Sequence, residues 1–163
     1  VSDEVDQWLS NILQVPVSLV YIADQTHRQV DMNYAREGDR VSFADGFPVL
    51  LISQASIDFL SEKLPFDLDM KRFRPNMVVS GCEPFEEDQW KEIEINGIRF
   101  DVSKPCSRCV IPSINPDNAE KQPEVMQLFI KERKRDGKVY LGQNLIHRGL
   151  GELNLGDEMV IIR

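Results

Sequence analysis

The sequence predicts an α+β domain, mainly β, in which a closed or nearly closed β-barrel is flanked by two or three helices. Most apolar segments are short and strand-like, and turns rich in glycine, proline or asparagine separate them. Only two or three segments place apolar residues at helical spacing. The chain shows no internal repeat and no low-complexity linker, so its 163 residues are expected to form a single domain.

Three segments are predicted to be helical. Asp3–Leu13 places its apolar residues on one face of a short amphipathic helix. Ser53 can cap a second helix over residues 54–64. A third helix is expected over residues 123–135, with Pro123 in the first turn, where its missing N–H is no loss.

The strands are predicted from short β-prone runs. Asn96-Gly97 is the strongest short signal for a two-residue hairpin turn, and β-prone segments flank it on both sides. Residues 24–39 are polar and are expected to form a loop or a long, mobile hairpin. The predicted strands cover residues 18–22, 49–52, 76–79, 91–95, 98–102, 139–141 and 159–162.

Charge and composition restrict the possible partners. The chain carries 19 Lys and Arg against 27 Asp and Glu, a net charge of −8, which disfavours binding to nucleic acid. No apolar run approaches the roughly 20 residues that a membrane span needs. Three cysteines indicate a reducing compartment, and we expect the cytoplasm. The first residues show no signal-peptide pattern. Because the sequence begins at Val1 and not at Met, we expect a processed form or an excised domain.

Cys106-Ser107-Arg108-Cys109 is the first candidate site, because a CxxC pair can bind zinc, exchange electrons or present one reactive thiol. The other possible zinc ligands, Cys82, His27 and His147, are scattered along the chain. The sequence after Cys109 does not open a helix, as dithiol redox motifs require. Two packing cysteines remain an alternative. Against it, Lys104 and Arg108 are expected to place positive charge beside the thiols and favour the metal-binding thiolate.

Arg72-Phe73-Arg74-Pro75-Asn76 is the second candidate site. If this segment is extended, Arg72, Arg74 and Asn76 project to one side, where they would suit an anion such as phosphate. An exposed strand end paired with nearby acids is the alternative reading. The turn at Asp45-Gly46 could offer backbone N–H groups or a carboxylate to a ligand, although such a sequence is more often only a turn.

Two charged runs are expected to have no chemical role. The acidic run over residues 83–88 is predicted to be a solvated loop. The basic run over residues 131–138 lies at the end of the third helix, where cations complement the helix dipole.

Taken in order, several short motifs resemble those of the MOSC domain, named after the C-terminal part of molybdenum cofactor sulfurase. The similarity extends from about residue 40 to the end of the chain. Within the family it is greatest to the bacterial YcbX-type proteins and the mitochondrial amidoxime-reducing component. The motifs are Ser42-Phe43-Ala44-Asp45-Gly46-Phe47-Pro48, Ser53-Gln54-Ala55-Ser56, Phe73-Arg74-Pro75-Asn76, Glu87-Asp88-Gln89-Trp90, Lys104-Pro105-Cys106-Ser107-Arg108-Cys109, Asn115-Pro116-Asp117, Gly142-Gln143-Asn144-Leu145 and Gly156-Asp157.

The resemblance implies a barrel with flanking helices and a molybdenum cofactor, molybdopterin-bound molybdenum held by a cysteine thiolate. By motif position Cys109 is the metal ligand and a catalytic residue, whereas Cys106 is structural. Asp45 is the implied proton donor, and Arg74 and Cys109 should face a common cleft. Pyridoxal phosphate binding is also described for the family. The implied cofactor contacts are Asp45, Gly46, Phe47, Arg74, Asn76, Ser107, Arg108 and Asn144.

The resemblance further implies an oxidoreductase that reduces N-hydroxylated small molecules. Its implied partners are an N-terminal β-barrel half, which contributes further cofactor contacts, and a ferredoxin-like or other electron donor. Val1 to Ile22 does not resemble such a half, and the cysteines of an iron–sulfur domain do not occur in this chain. The alternative is a carrier, in which Cys109 holds a persulfide or passes on the cofactor without reducing a substrate.

Overall fold

The strands of the protein form a nearly closed mixed barrel, and three helices pack around or extend from it. The computed structural model describes residues 2–163. Within this range the helices are α1 (Asp3–Leu13), α2 (Gln54–Ser61) and α3 (Pro123–Arg133). The strands are β1 (Val49–Ser53), β2 (Met77–Val79), β3 (Glu92–Ile95), β4 (Ile98–Ser107), β5 (Lys134–Arg135), β6 (Lys138–His147) and β7 (Met159–Ile161).

The sheet is organised around β4 and β6, two antiparallel strands of ten residues each. The strand order is β2-β1-β6-β4-β3-β7, and β5 pairs with β6 outside this path. All pairings are antiparallel except that of β1 with β2. β2 and β7 therefore form the two ends of the sheet, and both line a single cleft. The predicted fold class, a nearly closed barrel with three helices, is confirmed.

Side chains of the strands contribute to two main cores, and Ile146 of β6 packs in a third, smaller cluster with Val30 and Val41. Leu51, Ile93 and Leu145 belong to a cluster supplied mainly by strands, which fills the barrel. Ile52 and Leu141 point to the other face, where they pack with residues of α2 and α3. Leu51 and Ile52 face opposite sides because neighbouring residues of a β-strand alternate. Leu141 and Leu145 face opposite sides because the irregularity between Tyr140 and Gln143 shifts the alternation of β6.

The helix starts follow the local sequence. The Ser53 hydroxyl accepts a hydrogen bond from Ser56 N at 3.1 Å and so caps α2. Pro123 lies in the first turn of α3, which ends at Arg133 because Lys134 and Arg135 form β5. Both helices were predicted, with ends that were two or three residues too long.

Three segments of the strand prediction need correction. Residues 18–22 form no strand. β4 and β6 extend well beyond the predicted segments, through the Cys106 and Asn144 regions. Residues 24–39 form the expected loop, closed by one isolated bridge between Gln29 and Arg40. Among residues 2–163, no helix is long and apolar enough to cross a membrane.

Candidate functional site

The two cysteines of the CxxC motif lie at the end of β4, and their exposure differs. The pairing of β4 with β6 changes register at two places, between Val102 and Lys104 and between Pro105 and Ser107. Cys106 lies in the second of these and is partly buried, while Cys109 lies in the following loop and is exposed. The structure thus separates a strand cysteine from an accessible one, and two buried packing thiols are excluded.

Arg108 lies between the two thiols and is fastened to β6. Its backbone N–H donates to Val139 O at 2.8 Å and its Nε donates to Leu141 O at 3.0 Å. The guanidinium carbon lies 5.4 Å from the centre of the Phe73 ring. Arg108 Nη2 is buried, and no group of the described chain accepts a hydrogen bond from it. A buried donor without a partner is costly, so this atom marks a place for an acceptor from a ligand.

The electrostatic environment of Cys106 favours the neutral thiol. Burial raises the pKa of Cys106, and the carboxylate of Asp45 and the neighbouring Cys109 act in the same direction. The positive charge of Arg108 and a contact from the Asn144 side chain oppose this rise without overcoming it. Burial also lowers the pKa of Arg108, while the two thiols raise it. Cys106, Cys109, Arg108, Asp45 and Asn144 therefore form one interacting group, which we call the thiol cluster.

The expectation for Lys104 is corrected. Its ammonium lies 4.5 Å from the centre of the Tyr34 ring and 5.9 Å from that of Phe47, so it makes a cation–π contact. Lys104 therefore orders the aromatic pair beside the Asp45 turn. The positive charge next to the thiols comes from Arg108.

The turn that carries Asp45, Gly46 and Phe47 is held by an arginine that the sequence did not reveal. Arg28 donates to the carbonyl oxygens of Ser42, Ala44 and Asp45 at 2.7, 2.6 and 2.7 Å. The Asp45 side chain is left exposed. Arg28 belongs to the loop at residues 24–39, and no local pattern marks it, because its three partners lie 14 to 17 residues away.

Asn144 and Asn76 lie on either side of Leu50. Leu50 is the strand partner of Asn144 in the pairing of β1 with β6. Asn76 N donates to Leu50 O at 2.9 Å, and its Oδ1 accepts from Leu50 N at the same distance. The Asn76 oxygen is thereby engaged by the backbone, and its amide nitrogen is the group left to contact a ligand.

The two arginines of the second candidate site do not share a side. Residues Met70–Phe73 form a 3-10 turn, and Arg74 has a left-handed backbone with φ of 51°. Arg72 is buried, donates to Pro112 O at 3.1 Å and contacts Gln122 Oε1. Arg74 is exposed, and no carboxylate within residues 2–163 pairs with it. The extended arrangement was wrong because a local turn formed instead.

Arg72 nevertheless connects both candidate sites. Through Pro112 it attaches the segment that carries Arg74 to the loop that follows Cys109. Phe73, next to Arg74, lies under the guanidinium of Arg108. These contacts join the two residues before Arg74 to the neighbourhood of the CxxC motif, while a cleft shared by Arg74 and Cys109 stays a prediction. Ser107 is exposed at the end of β4, and its role is also untested.

The acidic run, expected to be solvated, contains two carboxylates that support the site. Glu87 is 1% exposed and accepts hydrogen bonds from the Ser53 and Ser56 hydroxyls at 2.9 and 2.8 Å. Asp88 accepts from Gln143 at 2.7 Å and from Arg133 at 2.6 Å. Asp88 thus contacts β6 at Gln143, the residue before Asn144. Arg133 at the end of α3 forms an ion pair with Asp88, in addition to any favourable interaction with the helix dipole.

The CxxC pair does not form a zinc site with the other candidate ligands. Cys82 lies near Ser53 and Glu87, and His147 Nδ1 contacts Gly149 O at 2.9 Å, so neither meets the CxxC pair. Over the described residues, no group of three or more His, Cys, Asp or Glu is placed to hold a metal ion. A single exposed thiol next to an unsatisfied guanidinium instead suits a metal that arrives on an anionic organic cofactor, whose remaining ligands come from the cofactor.

Fold and site together define a small barrel domain with one exposed thiol and a neighbouring guanidinium whose Nη2 has no partner in the described chain. The model of the MOSC domain family matches residues 38–160. The chain belongs to the MOSC domain family, as the motifs predicted.

The curated relatives include amidoxime-reducing components and a molybdenum cofactor sulfurase. The chain is 31% identical over 166 residues to mitochondrial amidoxime-reducing component 1 of Danio rerio, covering 95% of this chain and 51% of that protein. The human protein of the same name is 30% identical over 171 residues, covering 96% and 50%. Molybdenum cofactor sulfurase of Oryza sativa subsp. japonica is 28% identical over 157 residues, covering 86% and 19%. The chain therefore spans about half the length, or less, of these relatives, and it is a domain related to molybdenum-cofactor proteins.

Proposed function

We propose that the protein is the molybdenum-cofactor-binding domain of an oxidoreductase that reduces N-hydroxylated compounds. One observation carries this proposal: an exposed thiol and a buried, unsatisfied guanidinium nitrogen lie together in one interacting cluster. The relatives named as amidoxime-reducing components support the choice of substrate class.

In this proposal each residue of the chain has a defined task. Cys109 supplies the thiolate that holds the metal, because it is accessible whereas the Cys106 thiol is partly buried and kept neutral. Arg108 Nη2, Arg74 and the amide nitrogens of Asn76 and Asn144 donate to anionic and polar groups of the cofactor. Ser107 and the backbone of Gly46 and Phe47 are the further cofactor contacts proposed.

The cofactor, when bound, supplies the two-electron redox chemistry that cleaves an N–O bond. The balanced reaction takes an N-hydroxylated substrate, two electrons and two protons to the reduced nitrogen compound and water. Asp45 relays a proton from solvent to the substrate, since its side chain is exposed at the cluster and lies close enough for its charge to act on Cys106. The electrons come from a separate donor, and the reducing cytoplasm inferred from three unpaired cysteines fits this chemistry.

A persulfide or cofactor carrier is the second candidate, because the same exposed thiol could hold sulfur and a relative is named molybdenum cofactor sulfurase. The two candidates differ in what Cys109 carries in the purified protein. A reductase domain holds molybdenum there, and a carrier holds a labile sulfur atom.

Metal analysis of the full-length protein, made in a host that synthesises the cofactor, tests the proposal. The protein should contain molybdenum and reduce an amidoxime with a supplied electron donor. Cys109→Ser should lose both properties, and the matched control Cys106→Ser should retain part of the metal. The isolated domain should be folded and largely free of molybdenum, because the relatives it matches are about twice its length. Molybdenum and activity that survive Cys109→Ser would refute the proposal. A persulfide on Cys109 without molybdenum would favour the carrier.

A further inference from the structure

The two end strands of the sheet face each other across an open cleft. β2 pairs only with β1, and β7 pairs only with β3, within residues 2–163. Between these two free edges lies a cleft of about 770 Å³, lined by residues 76–82 on one side and by residues 153–159 and Ile161 on the other. Unpaired strand edges present N–H and C=O groups that can form a ladder with an added strand.

The cleft is both apolar and acidic. Val78 on β2 is 49% exposed, and Leu155 on the loop before β7 is fully exposed. Three carboxylates line the cleft, those of Glu86, Asp157 and Glu158, and no lysine, arginine or histidine of the described chain does so. Asn76, a proposed cofactor contact, lies at one end of the cleft, and no residue of the thiol cluster lines it. An occupant must therefore satisfy backbone edges, cover apolar side chains and carry positive charge.

We propose that this cleft binds an extended segment of a partner protein in which apolar residues alternate with lysine or arginine. The segment adds a strand beside β2 or β7, so that its backbone pairs with a free edge. Its apolar side chains face Val78 and Leu155, and its cations face the three carboxylates. A second copy of this chain is disfavoured, because pairing the same edges would bring like charges together. The proposal does not depend on the cofactor.

A fluorescent peptide of eight residues that alternates lysine and valine is the probe. Fluorescence anisotropy should show saturable binding to the chain that weakens as salt rises, because the contacts include exposed charges. Glu158→Lys should weaken binding about tenfold, a loss of the size that reversing one charge at a contact can produce. Glu37→Lys is the control, since it makes the same charge change at an exposed residue outside the cleft.

Three further binding experiments test whether the peptide pairs with a strand edge and whether a positively charged partner segment occupies the cleft. A peptide methylated on every backbone nitrogen should not bind, because it has no N–H group left to donate to a free strand edge. A glutamate–valine peptide should also fail to bind. The full-length protein should bind the lysine–valine peptide as the domain does. The proposal is overturned by equal binding of the methylated peptide, by equal effects of both charge variants, by concentration-dependent dimerisation that competes with the peptide, or by a full-length protein that cannot bind it.

Discussion

Gly142 lies at the closest approach between β6 and β1, and replacing it with alanine should destabilise the domain strongly. Its φ is +75°, a conformation that costs an L-residue about 1–2 kcal/mol. A Cβ at this position would also lie 2.6 Å from both the Leu51 carbonyl oxygen and Ile52 Cγ1. The oxygen belongs to the backbone of a paired strand, so it cannot move without disturbing the sheet.

The size of the effect follows from these two contributions. Forcing an extra carbon into a packed interior costs about 1–3 kcal/mol. Together with the backbone strain, Gly142→Ala should lower the free energy of unfolding by roughly 2–5 kcal/mol. Gly97→Ala is the matched control, because Gly97 has φ of +74° and no atom within 4 Å of a built Cβ. It should cost only the backbone contribution of about 1–2 kcal/mol.

Urea unfolding followed by tryptophan fluorescence measures both variants, since Trp90 is buried and should report loss of the core. The difference between the two variants isolates the steric contribution. The free energy of unfolding of Gly97→Ala should exceed that of Gly142→Ala by about 1–3 kcal/mol. Equal costs for the two substitutions would show that β1 moves freely away from β6, and the argument for a rigid approach would be wrong.

Two other predictions concern the thiol cluster and the buried carboxylate. Cys109 should react with iodoacetamide faster than Cys106 at neutral pH, because Cys109 is exposed while burial raises the pKa of Cys106. The Cys106 thiolate should therefore form only at a higher pH than in the unfolded chain. Peptide mass spectrometry can follow the labelling of each cysteine over a pH series. The same pH dependence of labelling for both cysteines would contradict the prediction. Glu87→Ala should lower the free energy of unfolding by about 2–4 kcal/mol, because the buried Ser53 and Ser56 hydroxyls lose their acceptor. Glu83→Ala, at an exposed position, should cost under about 0.5 kcal/mol in the same urea experiment, and similar losses in both variants would argue against the buried network.

The sequence by itself determined the features that depend on neighbouring residues. Ser53 and Pro123 start α2 and α3 as predicted, because a hydroxyl cap and a proline act within a single turn. Asn96-Gly97 makes the turn between β3 and β4, since both residues adopt the positive φ that a two-residue hairpin requires. The ordered motifs also sufficed to predict the family.

Only the tertiary structure decided which polar groups are buried and what they contact. Glu87 reads as part of a solvated acidic run, yet serines more than 30 residues earlier in the chain make it a buried acceptor. Arg72 reads as an exposed anion ligand, yet Pro112 and Gln122 bury it as a link between segments. The unsatisfied nitrogen of Arg108 likewise depends on where β6 places its carbonyl groups. Burial and hydrogen bonding of this kind follow from strand order and long-range packing, which local residue preferences do not encode.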